Sequence, residues 1–283
     1  MAQYYYLVSS LAELALDEGF QKHPYPVFTE FVREELLSAD YTDLRKCFLL
    51  NDVLNFTAAL KSVSPDREIS FREPSFYNKE ALEDGLSDPE TLFSFLADFI
   101  WDYRAERRMY PGISGENELL RRMMESLSDG EDKEISGFPR DYLIFEMHLR
   151  NLATALSHRA QNRSYSEHVI PFDFFSEKVA SSQAGDFGLG GDLGVLADLI
   201  GIYEDSSPLA AERAVSAARW KWLDDAVGYS LFSKQAVFAY AVKIADVERW
   251  LAVTPEAGRE KLDELLENLH QNIKKMTREE NSE

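Results

Sequence analysis

Apolar positions recur at helical spacing along almost the whole chain. The clearest run is "DYTDLRKCFLLNDVLNFTAALKSV", residues 40–63, which predicts a helix over 43–61. Its stripe Leu49, Val53, Phe56, Leu60 follows the i, i+4, i+7, i+11 spacing of a core face. Phe48, Leu50, Leu54, Ala58 and Ala59 make much of the remaining surface apolar, as in a helix packed on several sides. Further helices are predicted over 26–39, 88–110, 117–130, 139–162, 207–232, 233–253 and 254–276. The last carries Leu262, Leu265, Leu266, Leu269 and Ile273 on one face, followed by a polar tail. Pro26, Asp88-Pro89-Glu90 and Gly130 punctuate these runs as helix starts and a stop. Strand patterns are weak: "YYYLV" (4–8) and "REISF" (67–71) read as extended, with no hairpin turn between alternating runs. Residues 62–87, 127–140, 160–169 and 181–194 read as loops.

Two polar residues interrupt the apolar run at Asp52 and Asn55, on one face of the helix. The arrangement recurs at His148 and Asn151, 96 positions further on. At that offset Leu49, Val53, Phe56 and Leu60 fall on Phe145, Leu149, Leu152 and Leu156. A weaker third copy lies another 98 residues on, with Asp246 and Arg249 in the polar positions, but Lys243 and Thr254 in the stripe. The expectation is an all-α chain in which helices 43–61, 140–158 and 234–252 are one repeated element. The modules run over roughly 1–105, 106–200 and 201–283 of a single domain. Asp52, Asn55, His148, Asn151, Asp246 and Arg249 are read as structural locks. A buried polar side chain bonded to a neighbouring helix fixes how the two dock.

Composition changes this picture little. With 45% hydrophobic and 28% charged residues the chain is globular. Its formal charge of -20 excludes a general attraction to nucleic acid or anionic lipid. The single cysteine, Cys47, allows no intrachain disulfide and suits a cytoplasmic location. The N-terminus does not read as a signal peptide, and no apolar run is long enough to span a bilayer, so no direct insertion is expected.

Candidate chemistry is thin. "GDFGLGGDLG", residues 185–194, breaks the dinucleotide-binding spacing at Leu193, follows no strand pattern and reads as a flexible loop. No Gly-Lys-Ser/Thr phosphate loop occurs. The histidines His23, His148, His158, His168 and His270 form no metal motif, Glu267-x-x-His270 being a single copy where a di-metal site needs two. Asp224-Asp225 reads as a solvated helix face, and "SLSDGEDKE" (126–134) as an acidic loop that either aids solubility or meets a basic partner. Neither a catalytic residue nor a cofactor or metal site is expected. Trp220 and Trp222 cannot share one helix face. Either one of them is exposed as a partner contact, or both pack against different helices.

The repeated Asp/His-x-x-Asn-Leu/Phe unit and "FSKQAVFAYAVKIADVERWLAV" resemble the family of C-type subunits of the archaeal and bacterial V-type rotary ATPases, which are the d-type subunits in eukaryotes. Tyr240, Asp246 and Val247 match that family's late-helix pattern, while Arg249 and Trp250 depart from its Asn-Leu. "WLDDAVGYSLF" is similar to its Leu-Asp-x-x-Tyr segment, with Val227 in place of the Tyr. The N-terminal "YYYLVSSLAEL" is similar to a bacterial family encoded among V-type ATPase genes in place of an ordinary C-type subunit. The resemblance implies a funnel of three helical bundles and a non-catalytic rotor part. Such a part receives the foot of the central shaft and sits on the membrane rotor ring, so the chain would be peripheral at the inner membrane through protein contacts. The alternative is a free-standing helical interaction or regulatory protein on the same repeats.

Overall fold

A computed structural model describes residues 4–15, 24–61, 70–130, 133–205, 207–252 and 259. The described chain is all-helical and contains no strand. The α-helices are α1 (Tyr5–Ser10), α2 (Pro24–Glu35), α3 (Ser38–Lys46), α4 (Leu49–Lys61), α5 (Lys79–Ser87), α6 (Ser94–Arg104), α7 (Gly115–Asp129), α8 (Phe138–Ala160), α9 (Phe174–Ser181), α10 (Asp198–Asp205), α11 (Pro208–Val227) and α12 (Lys234–Leu251). Single 3₁₀ segments lie at Pro89–Thr91 and Gly190–Leu196.

Local chemistry accounts for many of the ends. Asn78, Ser114, Ser207 and Ser233 each accept the backbone N–H three residues on, capping α5, α7, α11 and α12. Asp173 and Ser176 form a reciprocal capping box at α9. Gly130 closes α7 in the left-handed conformation.

Two apolar cores share α8 as their spine. Tyr142, Phe145, Leu149 and Leu152 face a core built with α2, α3, α9, α11 and α12. Leu143 and Met147, on another face of α8, join a core built with α4, α5, α6 and α7. The helix expected over 43–61 is accordingly two. It breaks at Cys47–Phe48, because Leu44, Cys47 and Phe48 pack in the first core while Leu49, Val53 and Phe56 pack in the second. Periodicity does not reveal such a change of core.

Other expectations are corrected. "YYYLV" falls in α1, tied to the α11–α12 turn by the Tyr4 N–H donating to the Phe232 carbonyl at 2.7 Å. The loop expected over 62–87 ends in α5. The glycine-rich segment is not a free loop. Phe187, Leu189, Leu193 and Leu196 are buried. The Arg159 guanidinium lies 3.6 Å from the centre of the Phe187 ring and donates to the carbonyls of Ser182 (2.7 Å) and Ala184 (2.8 Å). Gly188, Gly190 and Gly194 take positive φ there, which lets the chain turn tightly enough to bury those side chains. The leucine stripe at 262–273, and with it His270, lies outside the described residues, as do His23 and Thr254.

Candidate functional site

Asn55 and Asn151 are each 1% exposed, and each holds the backbone of a single residue at two points. The Asn55 amide donates to the Arg72 carbonyl (3.0 Å) and accepts the Arg72 N–H (2.8 Å). Asn151 does the same to Ile170, at 2.8 and 3.0 Å. The locks therefore grip the non-helical chain that follows their own helix, rather than a neighbouring helix. That chain needs them, because outside a helix its N–H and C=O groups lack ladder partners. Replacing either Asn by Ala is expected to lower the unfolding free energy by about 1–3 kcal/mol, through the orphaned backbone groups. Urea denaturation measures this, and a loss near zero would remove the clamping role.

The residue three positions earlier braces the same chain further on. Asp52 accepts the N–H groups of Phe76 (2.7 Å) and Tyr77 (2.8 Å), just ahead of the α5 cap Asn78. His148 Nε2 lies 2.7 Å from Asp173 Oδ2, and Asp173 is itself the cap of α9. The imidazole is stacked on Phe172 and Phe175. Burial raises the Asp173 carboxyl, but the bonds from His148 and Ser176 outweigh it and hold the group below the usual carboxylate range.

The third pair works differently. Asp246 and Arg249 lie on α12 and fasten it to α11. Asp246 accepts Arg219 (3.1 Å), the Trp220 indole (3.1 Å) and Arg249 (3.1 Å). Arg249 also reaches Ser216 and Glu212. Arg219 forks onto both oxygens of Glu146 on α8, at 2.6 and 2.8 Å. Burial would lower the Arg219 pKa, but Glu146 outweighs it, so the guanidinium stays charged. Sequence spacing does not single out Glu146 or Arg219.

Glu146, Arg219, Asp246 and Arg249 line a cleft of about 580 Å³. Its walls come from the start of α4 (Leu50, Asn51), from α8 (Tyr142, Glu146), from α11 (Arg219), from α12 (Val242, Ala245, Asp246, Arg249) and from the strap Ser70–Pro74. The strap is held by Asn51, which donates to the Pro74 carbonyl (2.8 Å), and by the Asn55 clamp on Arg72. Cys47 also lines the cleft, and burial raises its thiol above the usual range, so it stays protonated. The cleft thus offers fixed charges in pairs, apolar wall and a polar rim.

Of the two readings of the tryptophans, the structure bears out packing and not an exposed contact. Trp220 is buried with its indole on Asp246, and Trp222 stacks on Phe145 at 4.7 Å between ring centres. Both pack because α11 is covered by α8 on one side and α12 on another. Exposed aromatic side chains lie elsewhere: Tyr5, Tyr6, Tyr229 and Phe232 where α1 meets the α11–α12 turn, Trp101 and Tyr103 on α6, Phe31 on α2 and Phe174 on α9. Asp224 pairs with Lys243, while Asp225 is exposed. His158 and His168 stack on each other, and no group of three metal-ligating side chains occurs among the described residues.

A family model described as "Protein of unknown function (DUF2764)" matches residues 1–273. No curated protein and no solved structure matches the chain.

Proposed function

The chain belongs to the DUF2764 family of proteins of unknown function, and from its own residues we propose that it is a non-catalytic coupling subunit of a V-type rotary ATPase. In this role it links the central shaft to the membrane rotor ring during ion transport. The observation that carries the reading is the cleft: α4, α8 and α12, the three helices with the related polar unit, all contribute walls to it. A funnel of three modules around a central socket has that geometry. A shaft foot seated there would bear on side chains already fixed by ion pairs and by amide clamps. Transmitting torque needs such stiffness, and satisfied buried polar networks supply it. No described helix is long and apolar enough to cross a membrane, so the contact with the ring would run through protein surfaces.

The test is to tag the chain in its own cell, solubilise membranes in mild detergent and identify what co-purifies. Shaft and ring subunits are expected at low salt. Fewer are expected at high salt while the chain stays folded, because screening acts on exposed charges more than on the core. The isolated chain is expected neither to hydrolyse ATP nor to bind it stoichiometrically in calorimetry. An intact ATPase that elutes without this chain at low salt would replace the coupling role with a regulatory one.

A further inference from the structure

Asn55 and Asn151 make the same clamp but display different residues. Asn151 clamps Ile170, whose side chain is buried in the second core. Asn55 clamps Arg72, whose side chain is exposed on the cleft wall. Glu73, the next residue along the strap, is also exposed and also lines the cleft. The other charges lining the cleft are all paired: Arg219 with Glu146 and Asp246, and Arg249 with Asp246 and with Glu212 outside the cleft. Among the described residues, Arg72 and Glu73 are the cleft charges whose side chains carry neither an ion pair nor a hydrogen bond. Their backbone, by contrast, is held from three sides: by Asn51 at Pro74, by Asn55 at Arg72 and by Asp52 at Phe76 and Tyr77.

Long charged side chains on flexible backbone lose much of their pairing energy to ordering. Here the ordering of the backbone is already done, by buried groups of α4. A strap fixed from behind with its two free charges at a cleft rim is the arrangement of a reading edge. We propose that Arg72 and Glu73 form the specificity-determining rim of the cleft, reading a segment of the shaft that carries charges of both signs. The inference rests on the coupling reading above. A carboxylate of the segment meets Arg72, whose planar guanidinium suits bidentate pairing. A basic side chain meets Glu73. Asn55 acts as a positioning residue, through the strap.

The experiment uses the full chain and the purified shaft subunits of the same ATPase. The double variant Arg72→Glu with Glu73→Arg keeps the net charge and exchanges the pattern. Since both side chains are exposed, thermal unfolding of the variant is expected to match the wild type. Its affinity for the shaft is expected to fall about tenfold or more, because each pair becomes a like-charge contact. Asn55→Ala is expected to weaken binding as well. Asn151→Ala, which frees a segment outside the cleft, is expected to leave binding unchanged at a comparable loss of stability. If the wild type binds the shaft and the exchanged variant binds with a smaller drop than that, the rim inference is overturned and the coupling reading stands. If the wild type does not bind the shaft, both fall together.

Discussion

Replacing Arg219 by Met is expected to lower the unfolding free energy by about 3–5 kcal/mol, the range for breaking a buried ion pair from one side. Arg219 is the hub between α8, α11 and α12. Its guanidinium holds Glu146 by two bonds and Asp246 by one. Without it, Glu146 keeps the Tyr142 hydroxyl at 3.3 Å, and Asp246 keeps the Trp220 indole and Arg249. Most of the loss comes from the carboxylate left behind, and little from the pair's own worth. Adding Glu146→Gln to the Arg219→Met variant is therefore expected to recover part of the stability. The two changes should be strongly non-additive. Urea titrations of the two single variants and the double variant measure the coupling. A single-variant loss below about 1 kcal/mol, the scale of a surface pair, would show that the network is looser than its distances suggest.

Asp52→Ala is expected to lower stability by about 2–4 kcal/mol, since two backbone N–H groups lose their acceptor together. The same residue also predicts a pH effect. Burial pushes the Asp52 carboxyl up to about 7, against the N–H bonds from Phe76 and Tyr77 and the nearby charge of Arg45. The folded chain then binds this proton more tightly than the unfolded chain, whose carboxyl keeps its ordinary value of 3.8. The stability contributed by this group is full below about 4 and is lost as pH rises through about 7. Carboxylates with lowered values, such as Asp173, act in the opposite direction, so the effect has to be read as a difference. Asp52→Asn keeps one acceptor oxygen and does not titrate. The stability advantage of the wild type over Asp52→Asn is expected to narrow between about pH 4 and pH 7. An advantage that stays flat or widens across that range would mean that the N–H bonds outweigh burial.

Asp52, Asn55 and Asn151 stand out in the sequence, because a polar residue inside an apolar run is conspicuous against the helical period. Asn55 and Asn151 are buried and bonded, as their setting in the stripe required. What they bond to was not legible. Arg72 and Ile170 lie 17 and 19 residues further on, across chain whose path no local pattern reports. Asp246 and Arg249 share the spacing but fasten α12 to α11 and no return segment, since Arg219 and Trp220 stand within reach. Helix type, several caps and the apolar faces thus belong to the sequence by itself, because they follow from contacts within a few residues. The break at Cys47–Phe48, the burial of the glycine-rich segment and of Trp220, and the cleft belong to the tertiary structure alone. Each depends on which distant surface arrives opposite, and a period of 3.6 residues says which face is covered but not by what.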